Sequence, residues 1–160
     1  MKRNKVGQFD GWDLPDAYIH RVTVKDSDMD EFGHANNARY LEWADDAAWT
    51  HWWSRGFTRE QCQQDDRGIA IIRTEADYLG HVRAGDELDC AVWITQSDGR
   101  FRAERQYQFR KVSDASTVFR AITKVVCFQL STGRPARMTP VFAQHYQVLP
   151  SVAQALVTEN

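Results

Sequence analysis

Cysteine is scarce in this sequence, and its three copies lack the spacing of a disulfide or metal-binding framework. Cys62, Cys90 and Cys127 are odd in number and include no Cys-x-x-Cys pair, which argues against disulfides and against a zinc site. We expect three reduced thiols, and Cys90 and Cys127 lie in apolar, strand-like runs where a thiol is a small buried group. A nucleophilic cysteine activated by a histidine stays open as an alternative.

Long apolar runs and an excess of one charge are also missing. No run approaches the roughly 20 apolar residues that a membrane-spanning helix needs. Lys and Arg total 20 against 22 for Asp and Glu, so no basic stripe indicates binding to nucleic acid. The basic start of the chain, residues 1–7, lacks the apolar stretch of a signal peptide. We expect a cytoplasmic protein that binds neither membrane nor nucleic acid.

Glycine and proline are absent from residues 37–54, which favours one long helix. Its apolar residues recur at helical spacing, and either Asn36 or Asn37 is placed to cap its start. The helix is unusually aromatic, with Trp43, Trp49, Trp52 and Trp53. Packing against a sheet or a partner subunit is the preferred interpretation of these side chains, and lining an acyl pocket is the alternative.

In most of the remaining chain, apolar and polar residues alternate as they do in strands. The predicted strands are residues 17–25, 68–79, 86–96, 101–112 and 117–130, and short helices are predicted over residues 58–66 and 140–148. We expect the last four strands to form a meander with 117–130 in the centre. One antiparallel sheet wrapped around the long helix gives a single α+β domain over residues 17–148, between a loose arm, 1–16, and a tail, 149–160, that we expect to fray.

The loop before the long helix contains the highest concentration of candidate catalytic residues in the sequence. Residues 26–40 place acids, a Gly-His pair and two asparagines ahead of the helix N-terminus. The first backbone N–H groups of a helix have no intrahelical partner, and the helix dipole favours negative charge there. The pattern therefore suits a reaction in which a negative charge develops on a carbonyl oxygen.

This loop resembles that of the single-hotdog acyl-thioester hydrolases, which include 4-hydroxybenzoyl-CoA thioesterase-like and long-chain acyl-CoA thioesterase-like enzymes. The matching residues are Asp30, Gly33, His34, Asn36, Asn37, Tyr40, Leu41 and Glu42. Residues 78–88 are similar to the second block of the family, with Gly80-His81 in place of its commoner Arg/Ala-Pro step. Residues 121–135 resemble its ending, so the likeness covers about residues 18–140.

The resemblance implies a hotdog fold and hydrolysis of an acyl-CoA thioester without a cofactor. It implies that Asp30 attacks the thioester or activates water, and that His34 shares or orients this role. It also implies that the backbone amide at Asn37 polarises the thioester carbonyl. Asp28 is a second acid that either raises the pKa of its neighbour or only solvates the loop. The alternative for Asp30 is a turn cap that bonds its own backbone.

The substrate-binding residues implied by the resemblance are Asn36, Tyr40, Arg83 and Arg134. Asn36 has a cap as its alternative role, and Tyr40 has a place in the core. If coenzyme A is the leaving group, its phosphates need cationic donors, for which the candidates are Arg83, Arg100, Lys124 and Arg134. No metal is expected, because His51, His81 and His145 lack ligand spacing. Family members share the site between subunits, which implies a homodimer or homotetramer.

Two other functions stay open at this point. A hotdog hydratase or dehydratase carries its catalytic acid on the central helix after a His-Phe-Pro-type turn, and that turn is absent here. A binding module would hold acyl groups without turnover. Neither acyl specificity nor the choice between coenzyme A and an acyl-carrier protein follows from the sequence.

Overall fold

The structure is a computed structural model that describes residues 9–158. Its strands are β1 (Tyr18–Thr23), β2 (Arg67–Tyr78), β3 (Glu87–Ser97), β4 (Arg102–Lys111) and β5 (Thr117–Gln129). Its helices are α1 (Asn37–Ser54), α2 (Arg59–Asp65), α3 (Pro140–His145) and α4 (Pro150–Thr158). None of the helices in the described residues is long and apolar enough to span a bilayer. The interpretation of residues 1–7 as lacking a signal peptide lies outside the described range.

The five strands form one antiparallel sheet in the order β1-β3-β4-β5-β2. The α+β prediction, with a sheet around one long helix, is confirmed. The predicted meander is wrong for β2, which pairs with β5 and not with β3, because β1 already occupies the free edge of β3. The centre of the sheet is therefore β4, and β5 lies between β4 and the edge strand β2.

Helix α1 packs on the inner face of the sheet through small residues and two large aromatic rings. Ala44, Ala47 and Ala48 let the backbone approach the strands closely, and Trp43 and Trp52 are buried. Full burial of such a ring removes a large apolar area from water and stabilises the fold by roughly 2–3 kcal/mol. The packing interpretation therefore holds for these two tryptophans. In contrast, Trp49 and Trp53 are 38% and 53% exposed.

The outer face of the sheet is covered by the two ends of the described chain. Leu14, from the predicted loose arm, is buried against Trp93 of β3. Residues 150–158 form α4, whose Val152 and Ala155 pack into the same cluster. The expectation of a frayed tail is thus wrong for these residues, because their apolar face finds a partner only once the sheet exists. The domain boundaries at residues 16 and 148 stay a prediction.

One fully buried cation lies between α1, β4 and α3. The guanidinium of Arg105 is 5.7 Å from the ring centroid of Trp52 and 5.1 Å from that of Tyr146, and it donates to the Tyr146 hydroxyl. No carboxylate of the described residues lies within ion-pairing distance of it. Aromatic faces therefore stabilise the charge that a carboxylate normally would.

The β3–β4 hairpin is closed by the side chain of Asp98. Its Oδ1 accepts the N–H groups of Arg100 at 2.8 Å, Phe101 at 2.7 Å and Arg102 at 3.0 Å. Gly99 follows with φ of 65°, in the left-handed region that such turns use. Burial raises the pKa of Asp98, but these three N–H groups lower it by more, so the net pKa is below the ordinary value.

We predict that Asp98→Ala lowers the free energy of unfolding by about 1–2 kcal/mol, because three backbone donors lose their shared acceptor. Urea denaturation at neutral pH measures the change. Asp98→Asn is the matched control, since its amide oxygen still accepts and the loss is smaller. Equal stability of Asp98→Ala and the wild type would show that water replaces the carboxylate without cost.

Candidate active site

The loop between β1 and α1 closes on itself before the helix begins. Met29 and Ala35 form an antiparallel bridge, and the N–H of Asp30 donates to the carbonyl of His34 at 2.8 Å. The N–H of Gly33 donates back to the carbonyl of Asp30 at 3.1 Å. Residues 30–34 therefore form a tight turn whose base is a short piece of ladder. This turn places an acid and an imidazole side by side just ahead of α1.

Asp28 anchors this loop to its surroundings. Its side chain is nearly buried, with Oδ2 accepting the N–H of Lys25 at 2.8 Å and Oδ1 3.5 Å from Nε of Arg39. Its carbonyl accepts the N–H of Asn36 at 2.8 Å. Both oxygens of this carboxylate therefore face partners in the loop and on α1. These contacts favour a structural role for Asp28 over a catalytic one.

Asp30 is half-buried and uses only one carboxylate oxygen for its own loop. Oδ1 accepts the N–H of Phe32 at 2.9 Å and, more weakly, that of His34 at 3.4 Å. This is the turn-capping geometry that the sequence left as the alternative for this residue. Within residues 9–158, Oδ2 makes no hydrogen bond. The cap and a chemical role are thus compatible, because the second oxygen is available to a substrate or to water.

The N-terminus of α1 follows at once. The side chain of Asn36 accepts the N–H of Ala38 at 2.9 Å, which makes Asn36 the helix cap. Asn37 is the first helical residue, and its amide belongs to the N–H groups that a helix leaves without an intrahelical acceptor. The hydroxyl of Tyr78 donates to the carbonyl of Asn37 at 3.3 Å and ties the helix start to the end of β2.

Tyr40 lies in the core beneath this helix start. Its side chain is only 3% exposed, and its ring contacts those of Trp43, Tyr78 and Phe119. Its hydroxyl donates to the carbonyl of Gly80 at 3.3 Å, and burial raises the pKa of the phenol. These contacts support the alternative in which Tyr40 is a core residue. Its ring lies beneath the start of α1.

His34 has an aromatic neighbour that the sequence did not suggest. The ring of His81 stacks on it, with centroids 4.1 Å apart and planes 16° from parallel. These two histidines are far apart in sequence and share no ligand spacing, so the predicted site omits His81. One feature of the sequence pointed to His81: it belongs to the Gly80-His81 pair, which replaces the Arg/Ala-Pro pair commoner in the family.

The two predicted substrate-binding arginines lie at opposite ends of the chain's edge strand. Arg83 is exposed in the loop before β3, next to Val82, whose carbonyl accepts the N–H of Ala35 at 2.9 Å. Arg134 is exposed just beyond β5, at the end of the sheet where β2 begins. Because β2 is 12 residues long, its two ends are about 35 Å apart. A single chain therefore brings Arg83, but not Arg134, close to Asp30.

A cleft of the described residues lies away from the Asp30 loop. It has a volume of about 680 Å³ and lies on the outer face of the sheet, beside α4. Its lining residues include Thr95, Glu104, Lys124, Val148 and Leu156. Its lining contains no histidine and no residue from the start of α1. No residue of the Asp30 loop lines this cleft.

The three cysteines are poorly suited to thiol chemistry. Cys62, Cys90 and Cys127 are all free and buried. Burial raises the pKa of each thiol, to about 11 for Cys127, which disfavours the nucleophilic thiolate. Within residues 9–158, no group of three or more His, Cys, Asp or Glu side chains is arranged to hold a metal ion.

Comparison with protein families identifies one match. The profile of a family described as the thioesterase-like superfamily matches residues 24–146, which is most of the chain and includes the whole Asp30 loop. A comparison with curated proteins finds no match.

Solved structures share the fold at low sequence identity. A 1,4-dihydroxy-2-naphthoyl-CoA thioesterase from Synechocystis is 19% identical, with a TM-score of 0.74 over 82% of this chain and 96% of its own. A hypothetical protein from Staphylococcus aureus in complex with CoA is 18% identical, with a TM-score of 0.76 over 86% of this chain and 88% of its own. A DHNA-CoA thioesterase from Staphylococcus aureus is 17% identical, with a TM-score of 0.75 over 89% and 94%. At these identities the likeness shows the hotdog fold alone.

Proposed function

The chain belongs to the thioesterase-like superfamily, and from that membership we propose that it hydrolyses an acyl-CoA thioester to a free carboxylic acid and coenzyme A. The observation that carries the proposal is the carboxylate of Asp30, half-buried in the loop that leads into the N-terminus of α1. One oxygen of this carboxylate is held by its own loop, and the other makes no hydrogen bond within residues 9–158. A group held rigidly on one side and open on the other suits attack on a bound carbonyl.

In the proposed reaction, the thioester carbonyl oxygen accepts the N–H of Asn37. The dipole of α1 stabilises the negative charge that develops on this oxygen. Two routes then lead to the products. In one, Asp30 attacks the carbonyl carbon, the C–S bond breaks, and coenzyme A leaves as the thiolate. Water then hydrolyses the resulting anhydride, which regenerates the Asp30 carboxylate and supplies the proton that the thiolate takes up. In the other, Asp30 takes a proton from water while that water attacks, and the proton then goes to the leaving sulfur.

His34 has two candidate tasks in this scheme. Its backbone is bonded to Asp30 on both sides, through the carbonyl at 2.8 Å and the N–H at 3.4 Å. Its imidazole makes no hydrogen bond within the described residues and therefore has both nitrogens available. We propose that it orients the attacking water or carries the proton to the leaving thiol.

Coenzyme A as the leaving group is supported by one of the solved structures of the same fold, which is a complex with CoA. Its phosphates need cationic donors, and Arg83 is exposed beside the Asp30 loop. Arg134 is exposed as well, but at the far end of β2. We propose that both contact the phosphates, Arg83 from the same chain and Arg134 of the partner subunit.

The proposed partner is a second copy paired along β2. This strand is a free edge of the sheet and carries apolar side chains that are about half exposed: Ile71 at 50%, Ile72 at 54% and Tyr78 at 41%, with Leu79 at 52% directly after it. An uncovered edge strand of this length is prone to pairing with another chain. In a two-fold arrangement the same patch meets itself, so the start of one β2 lies beside the end of the other. That places the end of the sheet that carries Arg134 next to the Asp30 loop of the partner.

A panel of acyl-CoA thioesters tests the proposed activity through release of free thiol. Short, long and aromatic acyl groups are each offered to the purified chain. We expect turnover of at least one class, and the class that reacts defines the specificity. No release from any of them, together with saturable binding, would instead indicate a module that holds acyl groups without turnover.

Sedimentation velocity tests the shared site. We predict a dimer or tetramer at micromolar protein, and Ile72→Lys in the middle of β2 should shift the population towards monomer because it places like charges against each other. Activity should fall in parallel, since Arg134 of the partner subunit is removed. A fully active monomer would exclude a site shared between chains.

A further inference from the structure

Two imidazole rings lie face to face beside Asp30. The centroids of His34 and His81 are 4.1 Å apart and the ring planes differ by 16°. The side chain of His34 is half-buried and that of His81 is exposed. Within residues 9–158 neither ring forms a hydrogen bond, and His34 stacks on no other aromatic ring than that of His81.

The backbone builds this contact. The N–H of Ala35 donates to the carbonyl of Val82 at 2.9 Å, and this bond joins the residues that follow the two histidines. Val82 is fully buried in the main core cluster. On the other side of His81, the N–H of Gly80 donates to the carbonyl of Val118 at 3.1 Å. Backbone hydrogen bonds thus hold the residues on both sides of His81, and they fix the position of its backbone next to the Asp30 loop.

An exposed imidazole that nothing holds samples several rotamers, and ordering it costs free energy during each turnover. His34 is bonded to Asp30 only through its backbone, so no hydrogen bond fixes the orientation of its ring. A flat partner at van der Waals distance removes much of that freedom, because only a narrow range of ring orientations keeps the contact.

We propose that His81 is a positioning residue that holds the imidazole of His34 in one orientation beside Asp30. The inference rests on the proposed thioesterase function, in which the His34 ring handles water or a proton. His81 itself touches neither the substrate nor the reacting atoms in this scheme. The property that matters is the flat face of its ring, and its nitrogens have no part in the contact.

The kinetic test compares His81→Ala with His81→Phe on the best acyl-CoA substrate. His81→Ala should lower kcat about tenfold with little change in KM, because a mispositioned His34 slows the chemical step more than it weakens binding. His81→Phe keeps a flat ring without nitrogens and should restore most of the lost rate. An alanine variant as fast as the wild type, or a phenylalanine variant as slow as alanine, would overturn the proposal.

The matched control is the same substitution where His34 is already absent. In a His34→Ala background, His81→Ala should cause no further loss, because the ring that it positions is gone. A second tenfold loss in that background would show that His81 acts independently of His34 and would overturn the proposal.

A spectroscopic measurement judges the stack without any turnover. The carbon-bound ring protons of His34 lie over the face of His81, so their NMR signals are shifted by its ring current. His81→Ala should move these signals towards the position of a free histidine, and His81→Phe should leave them displaced. If no acyl-CoA is hydrolysed by the wild type, the proposed function fails while this measurement still decides whether His81 orders His34. Signals that do not move in His81→Ala would overturn the inference.

Discussion

Asp30→Asn is expected to lower kcat/KM for the best acyl-CoA substrate about 10³-fold, because an amide is neither a nucleophile nor a base. The fold should survive, since the amide oxygen can still accept the N–H of Phe32 that Oδ1 accepts at 2.9 Å. The melting temperature and the oligomeric state should therefore match the wild type. The measurement is thiol release under saturating and limiting substrate, with thermal denaturation of both proteins in parallel.

Glu31→Gln is the matched control for this variant. Glu31 is adjacent in sequence and exposed, and its substitution removes the same charge, but its side chain forms no hydrogen bond within residues 9–158. Its activity should stay close to that of the wild type, which separates the role of Asp30 from the general charge of the loop. Equal rates in Asp30→Asn and the wild type would remove Asp30 from the mechanism.

A single turnover in water labelled with heavy oxygen distinguishes the two proposed routes. If Asp30 forms an anhydride, water that attacks the side-chain carbonyl carbon of Asp30 leaves the label in this side chain. Mass spectrometry of the loop peptide detects it. If Asp30 acts as a base, the label enters the carboxylic acid product alone. The experiment uses enzyme in excess, so that each Asp30 reacts once at most.

The second large effect is a loss of stability in mild acid that depends on His51. This side chain is 6% exposed, stacks on Tyr18 with centroids 4.9 Å apart, and has no hydrogen-bond partner for Nδ1 among the described residues. Burial, and to a smaller extent the nearby charges of Arg55 and Arg105, lower the pKa of His51 to about 3. The imidazole is therefore buried in its neutral form.

The sign of the effect follows from proton binding. Above about pH 6.5, His51 is neutral in both the folded and the unfolded chain, so it adds no pH dependence. Below that value the unfolded chain takes up a proton that the folded chain refuses until the pH nears 3. The free energy of unfolding should thus fall as the pH is lowered through this window, by about 1.4 kcal/mol per pH unit from this residue alone.

His51→Phe should remove this component while keeping a ring against Tyr18. Urea denaturation of both proteins between about pH 7.5 and about pH 4.5 measures the difference in slope. The other titrating groups are common to the two proteins and cancel in the comparison. Parallel curves for the variant and the wild type would show that His51 takes up its proton in the folded state without penalty.

Local features of the sequence predict the loop and the helix well. The absence of Gly and Pro from residues 37–54 predicts a helix that the structure places at Asn37–Ser54. The sequence offers Asn36 or Asn37 as the cap of α1, and the structure selects Asn36; the turn at Asp98 is of an equally local kind. Each depends on hydrogen bonds between residues only two to four apart in sequence. Such bonds form wherever the local sequence allows them, so the sequence alone suffices.

The order of the strands and the structure of the C-terminal tail could not be predicted from local sequence. The apolar pattern of β2 fits either β3 or β5 as a neighbour, and β5 is chosen because β1 returns to occupy the edge of β3. The helix after Pro150 has an apolar face, and it is stable only when Trp93 and Ala91 of β3 cover that face. These outcomes depend on competition between distant segments, and no local window contains that information.

By itself, the sequence determined one α+β domain with a long central helix, and an acid and an imidazole in the loop before that helix. Only the tertiary structure decided that β2 lies at a free edge, that Arg134 is remote from Asp30 within one chain, and that His81 stacks on His34. The physical reason is the range of the interactions. Caps and turns are formed by neighbours along the chain, whereas strand partners and ring contacts arise when burial of the whole core brings distant residues together.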